Sequence, residues 1–184
     1  MWTADGVLPP IDTSRPVSPE RSPYVVSLVD YVLRFSDTPA RRTVLSGYLR
    51  YRAALHSVGV VRGFQWLDGS FLEHVERIEE RAPNDVDVVT FYRLPTDLSQ
   101  TKLAESAGAL FDHATVKTKY CVDGYLVHLG MDAQRLIRQS AYWYSVWSHR
   151  RNQLWKGFVQ VDLAPVEDAA AAATLMSITA GGHQ

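Results

Sequence analysis

"WLDGSFLEHVERIEERAPNDVDVV", residues 66–89, sets Gly69-Ser70 near its start and two aspartates, Asp85 and Asp87, near its end. The segment around the aspartates is β-branched and aromatic, as a strand requires. Side chains alternate along a strand, so Asp85 and Asp87 should share one face, roughly 6 to 7 Å apart at about 3.3 Å per residue. A buried strand excludes carboxylates unless something compensates their charge. A divalent cation that prefers oxygen, such as Mg²⁺ or Mn²⁺, could touch both and relieve the repulsion. Asp123 interrupts the apolar run "CVDGYLV" (121–127) and asks for the same compensation. Gly69 lets backbone amides approach a phosphate, and Ser70 at a helix start adds a hydroxyl where anions are favoured. An isolated D-x-D is a frequent chance pattern at exposed strand starts. The order strand, Gly-Ser, acidic helix, D-x-D strand and later aspartate strand is more specific: a phosphate grip facing a metal grip.

Outward from this stretch, helices and strands alternate. "FQWLD" (64–68), "DVDVVTFY" (85–92), "KTKYCVDGYLVHL" (117–129) and "WKGFVQVDL" (155–163) read as strands. Residues 23 to about 35 form a short helix, with Val25, Leu28, Val29 and Val32 on one side. Thr38 and Pro39 open a longer helix that repeats apolar residues from Val44 to Val58 and stops at Gly59. A short helix follows Gly69-Ser70, carrying Glu73, Glu76, Glu79 and Glu80. Asp97 or Ser99 opens another through about Asp112, and 132 to about 147 is a further helix. The divisions expected are an arm and short helix at 1–37, a central domain at 38–165, and an alanine-rich tail at 166–184 with a frayed end.

Length and composition set the bounds. The 184 residues, 46% hydrophobic, suit one globular domain with ragged ends. A formal net charge of −1 gives no global footprint for nucleic acid or an anionic membrane, so any polyanion must be gripped locally. Cys121 is the single cysteine, which excludes an internal disulfide and a cysteine zinc site and suits a reducing cytoplasm. No apolar run reaches the length of a signal peptide or of a spanning helix, so a cytoplasmic protein without membrane contact is expected. No P-loop, dinucleotide, serine-hydrolase or zinc-protease motif occurs.

The run from Leu67-Asp68-Gly69-Ser70 to Asp85-Val86-Asp87-Val88 resembles the signature of the DNA polymerase β-like nucleotidyltransferase superfamily. "TPARRTVLSGYLRYRAAL", "QWLDGSF", "PNDVDVVTF", "VDGYLV" and "YWYSVWSHRRNQLWKGFVQVDL" are together similar to an uncharacterised bacterial nucleotidyltransferase-like family, over about Pro39 to Leu163. The resemblance implies an α+β fold, a small mixed β-sheet with helices packed against it. It implies Asp85, Asp87 and Asp123 as metal ligands and catalytic residues, and Gly69 and Ser70 against the β- and γ-phosphates of a nucleoside triphosphate. The implied activity is Mg-dependent transfer of a nucleoside monophosphate to an acceptor (a protein, an RNA or a small molecule), with pyrophosphate released. The spacer of fourteen residues between Ser70 and Asp85 is slightly long for that signature.

Beside these, Lys117 and Lys119 alternate in phase with Asp123 if the strand reaches that far, and either touch triphosphate oxygens or form a solvated strand start. Arg150 and Arg151, in the densest cationic stretch with His149 and Lys156, either hold a nucleotide or acceptor or form a charged turn. Asp123 serves as a metal ligand, a proton acceptor or both. Cys121 would share its strand face as small core filling. Tyr142, Trp143, Tyr144, Trp147 and Trp155 pack in the core or stack a base. The competing function is a non-catalytic nucleotide-binding or regulatory partner in a toxin-antitoxin or defence system. A glycosyltransferase, which also uses D-x-D, is disfavoured by the short elements before the motif.

Overall fold

The computed structural model describes residues 2–96 and 98–181. Strands β1 (Tyr24–Val25), β2 (Arg62–Asp68), β3 (Val86–Arg93), β4 (Val122–His128) and β5 (Val159–Asp162) form one sheet in the order β1-β5-β2-β3-β4. β2 is antiparallel to both β3 and β5, whereas β3–β4 and β1–β5 are parallel pairs. Around this mixed sheet are α1 (Leu28–Phe35), α2 (Pro39–Ser57), α3 (Val75–Ile78), α4 (Gln100–Ala107), α5 (His113–Tyr120), α6 (Ala133–Trp147) and α7 (Asp168–Gly181). The fold is α+β, with five strands and seven α-helices among the described residues.

The alternation of β2 and β3 divides the molecule into layers. Gln65 and Thr90 face α2, where the Tyr48 hydroxyl and Gln65 Oε1 lie 2.7 Å apart and Gln65 donates to Thr90 Oγ1 at 2.9 Å. On the opposite face, Phe64 stacks on Phe91 with ring centres 4.8 Å apart, and Trp66 meets Phe158 at 5.4 Å. α6 covers that face, setting Trp143 against Tyr125 at 4.5 Å and Trp147 against Phe158 at 5.9 Å.

α2 begins as its residues dictate. Thr38 accepts from the Arg41 backbone N–H, Pro39 supplies a preset φ, and Val44, Leu45, Tyr48 and Leu55 are buried at helical spacing. Gly47 lets α2 approach the end of α5: a Cβ there would lie 2.0 Å from the Tyr120 carbonyl oxygen. Two arginines of α2 are also buried. Arg41 pairs with Glu76 at 2.6 Å and donates to the carbonyls of Phe71 and Glu73, each at 2.6 Å. Arg52 donates to Gln65 Oε1, to the Asp162 carbonyl and to Asp168, 2.7 Å away at the start of α7.

The chain ends join this body. Trp2 donates to the Leu72 carbonyl at 2.6 Å and stacks on His74 at 4.4 Å, while Leu8 bridges to Gly157. In the alanine-rich segment, α7 buries Ala171 and Leu175.

Between β3 and β4 the sequence-based expectation is corrected. Ser99 caps α4, accepting from the Lys102 N–H at 3.2 Å; Asp97, the other expected opener, lies outside the described residues. The expected helix through about Asp112 ends at Ala107 and continues as a 3₁₀ turn over Gly108–Leu110, and Asp112 caps a further, unexpected helix, α5, accepting from Thr115 N–H at 2.7 Å. Lys117 and Lys119 therefore lie on a helix and not on a strand. Cys121 closes α5 in the left-handed conformation at φ +54°, so it has no place in the alternation of β4. A strong cap outweighed the β-leaning Thr118 and Tyr120. The expected strand over 155–163 contracts to β5, and Tyr24 and Val25 belong to β1 and not to the first helix. Among the described residues, no helix is long and apolar enough to cross a membrane.

Arg52 is fully buried and the Asp168 side chain is 20% exposed. Asp168→Asn leaves the guanidinium without its counter-charge and should cost about 3 kcal/mol, the lower end of the cost of breaking a buried pair. Urea unfolding of the parent and the variant measures this.

Candidate functional site

The strand registers bring three aspartates into one row. Asp68 of β2 is opposite Asp87 of β3, which is opposite Asp123 of β4. Residues opposite one another share a sheet face, with Cβ atoms about 5 Å apart. Asp85 stands one residue before β3. All four carboxylates line a cavity of about 740 Å³, together with Gly69, Ser70, Lys117, Arg150, Arg151 and Lys156. The cleft thus gathers every sequence-predicted site residue except Lys119, whose ammonium lies over the Tyr120 ring at 5.1 Å and away from the carboxylates.

Gly69 is required by a close approach. Its φ is +83°, and a Cβ would stand 2.7 Å from Asp87 Oδ2. The turn after β2 is thereby pressed onto the Asp87 carboxylate. Ser70 opens only a three-residue 3₁₀ turn, Ser70–Leu72, so the helix start expected to favour an anion is missing. Arg41 clamps this segment by holding the Phe71 and Glu73 carbonyls.

Beneath the turn runs a chain of opposite charges. Lys156 Nζ is 2.9 Å from both Asp68 Oδ2 and Glu73 Oε1. Arg150 Nε is 3.0 Å from Glu73 Oε2, and its guanidinium also meets Glu79. Burial pushes the Asp68 carboxyl up to about 7 even against the pull of Lys156. Burial opposes the charge of Lys156 as well, but Asp68 and Glu73 together overcome it and raise the ammonium. Both partners of one pair move up because Lys156 is shared by two acids, so Lys156 stays charged and Asp68 is the group that takes a proton. Asp68 Oδ1 is buried without a hydrogen-bond partner.

At the open side of the row, burial and then the charges of Asp85 and Asp123 push Asp87 up to about 6. Lys117 reaches across from α5, 2.6 Å from Asp85 Oδ2 and 3.9 Å from Asp123 Oδ2. Its bond to Asp85 raises the ammonium, whose side chain is 55% exposed. His113 Nδ1 is 3.4 Å from Asp123 Oδ1. Asp85, Asp87 and Asp123 are hard oxygen donors whose mutual repulsion a divalent cation would relieve, so the donor chemistry fits Mg²⁺ or Mn²⁺. Among the described residues, however, no three His, Cys, Asp or Glu side chains already converge as a metal centre. Lys117 meets part of that charge, so the carboxylates have not closed on a common point.

Sequence reasoning missed Asp68, Glu73 and His113 as parts of this cluster. Asp68 had a signal, a carboxylate ending the apolar strand "FQWLD". Glu73 and His113 had none, since only the tertiary fold brings them to Lys156 and Asp123. A second cavity, of about 760 Å³ and mostly apolar, lies between the N-terminal segment and α1, away from the aspartate row.

Comparison with known families adds one finding: the chain belongs to DUF6932, described as a family of unknown function, whose pattern matches residues 1–162. No curated protein and no solved structure matches it.

Asp87 has a folded pKa of about 6 against an ordinary 3.8, so the folded state holds its proton more tightly than the unfolded state. A carboxyl raised in this way lowers stability as pH climbs from about 4 to about 6, and the loss is complete above that, about 3 kcal/mol in all. Asp87→Asn should therefore melt higher than the parent at pH 8 in metal-free buffer and match it near pH 4. Thermal unfolding across that range checks both ends.

Proposed function

We propose that this member of the DUF6932 family is a metal-dependent nucleotidyltransferase, moving a nucleoside monophosphate from a nucleoside triphosphate to a hydroxyl acceptor. The observation that carries the reading is the contact of the Gly69 turn with Asp87, in a row that continues to Asp123 on the next strand. The glycine turn thus lies directly beside oxygen donors suited to Mg²⁺. The resemblance of the Gly-Ser and D-x-D run to nucleotidyltransferases points the same way. The cytoplasm, with its triphosphates and Mg²⁺, is the matching compartment.

Asp85, Asp87 and Asp123 would hold the metal, with Lys117 withdrawing from Asp85 towards the triphosphate. A bound divalent cation would supply charge neutralisation for the triphosphate and a lower pKa for the acceptor hydroxyl. The Gly69 backbone and the Ser70 hydroxyl would orient the β- and γ-phosphates. Arg151, exposed on the rim and in no ion pair among the described residues, would meet the outer phosphates. The acceptor oxygen bonds to the α-phosphorus, the bond from that phosphorus to the pyrophosphate oxygen breaks, and the acceptor proton passes to Asp123.

One observation favours a second reading, a non-catalytic nucleotide-binding or regulatory partner in a toxin-antitoxin or defence system. Lys117, a residue of the chain itself, compensates Asp85 and approaches Asp123.

Calorimetry with Mg²⁺ and ATP separates these readings. Asp85→Asn and Asp87→Asn should fold yet lose divalent-dependent triphosphate binding, and the same binding in both variants and the parent would sink the metal-site assignment. Binding that needs no divalent ion, and that vanishes in Lys117→Ala, would support the regulatory reading.

The two rim arginines should behave differently. Arg150 is tied to Glu73 and Glu79, so Arg150→Ala should lower the melting temperature, whereas Arg151→Ala should keep it and weaken triphosphate binding in a less salt-sensitive way. Melting temperature and affinity measured on both variants test this division; a destabilised Arg151→Ala with unchanged affinity would remove Arg151 from the site.

A further inference from the structure

α6 turns Trp143 and Trp147 into the core and leaves one flank exposed, whose last residue, Val146, lines the cleft. At 100° per residue, Arg135, Arg138, Tyr142 and Val146 lie within one stripe along that flank. Val146 lines the cleft, so the stripe runs from the aspartate row outward over about 16 Å. Tyr142 is 57% and Val146 48% exposed, and both arginines are exposed. Among the described residues neither arginine forms an ion pair, and no carboxylate occurs between Ala133 and Trp147; the nearest acid, Asp132, caps the far end of the helix. At the cleft end the stripe meets Arg151, also exposed.

Unpaired guanidinium groups interleaved with an exposed aromatic ring are what an extended single strand of nucleic acid uses: phosphates on the cations and a base on the ring. A folded protein partner would bury Ile137 of the opposite flank as well, whereas the cations and Tyr142 gather on the cleft flank alone. We infer that this flank of α6 is a track for a single-stranded polynucleotide, whose terminal hydroxyl enters the cleft as the acceptor. The terminal role rests on the transferase reading; the track itself does not.

The test is fluorescence anisotropy of short labelled RNA and DNA single strands with the full chain, over a series of salt concentrations. Both should bind at low salt, and tighter RNA binding would identify the ribose hydroxyl as a contact. Arg135→Gln with Arg138→Gln should weaken binding and lower the salt slope by about 1.4, roughly 0.7 per lost phosphate contact. Tyr142→Ala should weaken it roughly 5- to 150-fold with the slope unchanged, as loss of one stacked base requires. Tyr142→Leu, which keeps apolar bulk beside Trp143, should weaken it too at an unchanged melting temperature. No binding at the lowest salt, or binding indifferent to these substitutions, overturns the proposal. So does a polyglutamate peptide that binds as tightly and ignores Tyr142→Ala. Strand binding without triphosphate binding would sink the transferase reading and leave the track, and the reverse would sink the track alone.

Discussion

Carboxylates set opposite one another on adjacent strands repel, and the surroundings of Asp68, Asp87 and Asp123 answer that repulsion. The row is divided by depth. At its inner end Lys156 and Glu73 form a buried, hydrogen-bonded network with Asp68, and removing one member of such a network strands the others. At its outer end the compensation is a flexible, half-exposed lysine on a separate helix. The inner acid is matched within the buried fold and the outer ones replaceably. That gradient separates a structural polar cluster from a site able to exchange its counter-charge.

The same division governs the loop after β2. Its backbone is fastened by Arg41, which satisfies two carbonyls that would otherwise be buried without a donor, and by the Trp2 side chain, which takes a third. Neither contact enters the cleft. Both come from segments remote in sequence, so the Gly69 turn is positioned from behind. A loop held in this way keeps its shape whatever occupies the front, which is the preorganisation that phosphate chemistry needs.

Much of this was legible in the sequence because local rules had no competitor there. The Thr38-Pro39 opening, the apolar spacing of α2 and the alternation of β3 follow from caps and periodicity, and the D-x-D aspartates disclose themselves by violating an apolar strand. The region from Asp112 to Cys121 was misread where two local rules conflicted: β-leaning side chains suggested a strand and the Asp112 cap a helix, and the cap prevailed. Lys117 reached the site regardless, by a different geometry, while Lys119, two residues on, turned away as a helix requires. Asp68, Glu73 and His113 join the cluster only through strand register and loop packing, and no spacing in one chain encodes register across three strands. The five-stranded count was also hidden, since β1 has two residues and carries no period.

Arg52 and Asp168 lie 116 positions apart, and the guanidinium they share with Gln65 sits in the middle of the core. During synthesis, α2 and the first paired strands emerge long before the acid that neutralises Arg52 exists. Until α7 arrives, the nascent layers contain a charge whose burial is unfavourable, although Gln65 and the Asp162 carbonyl already accept from it. Sequence separation of this kind slows folding, and it makes the last helix a cooperative lock instead of an appendage. The pair thus ties the stability of the α2 layer to the docking of α7, 116 positions further along the chain.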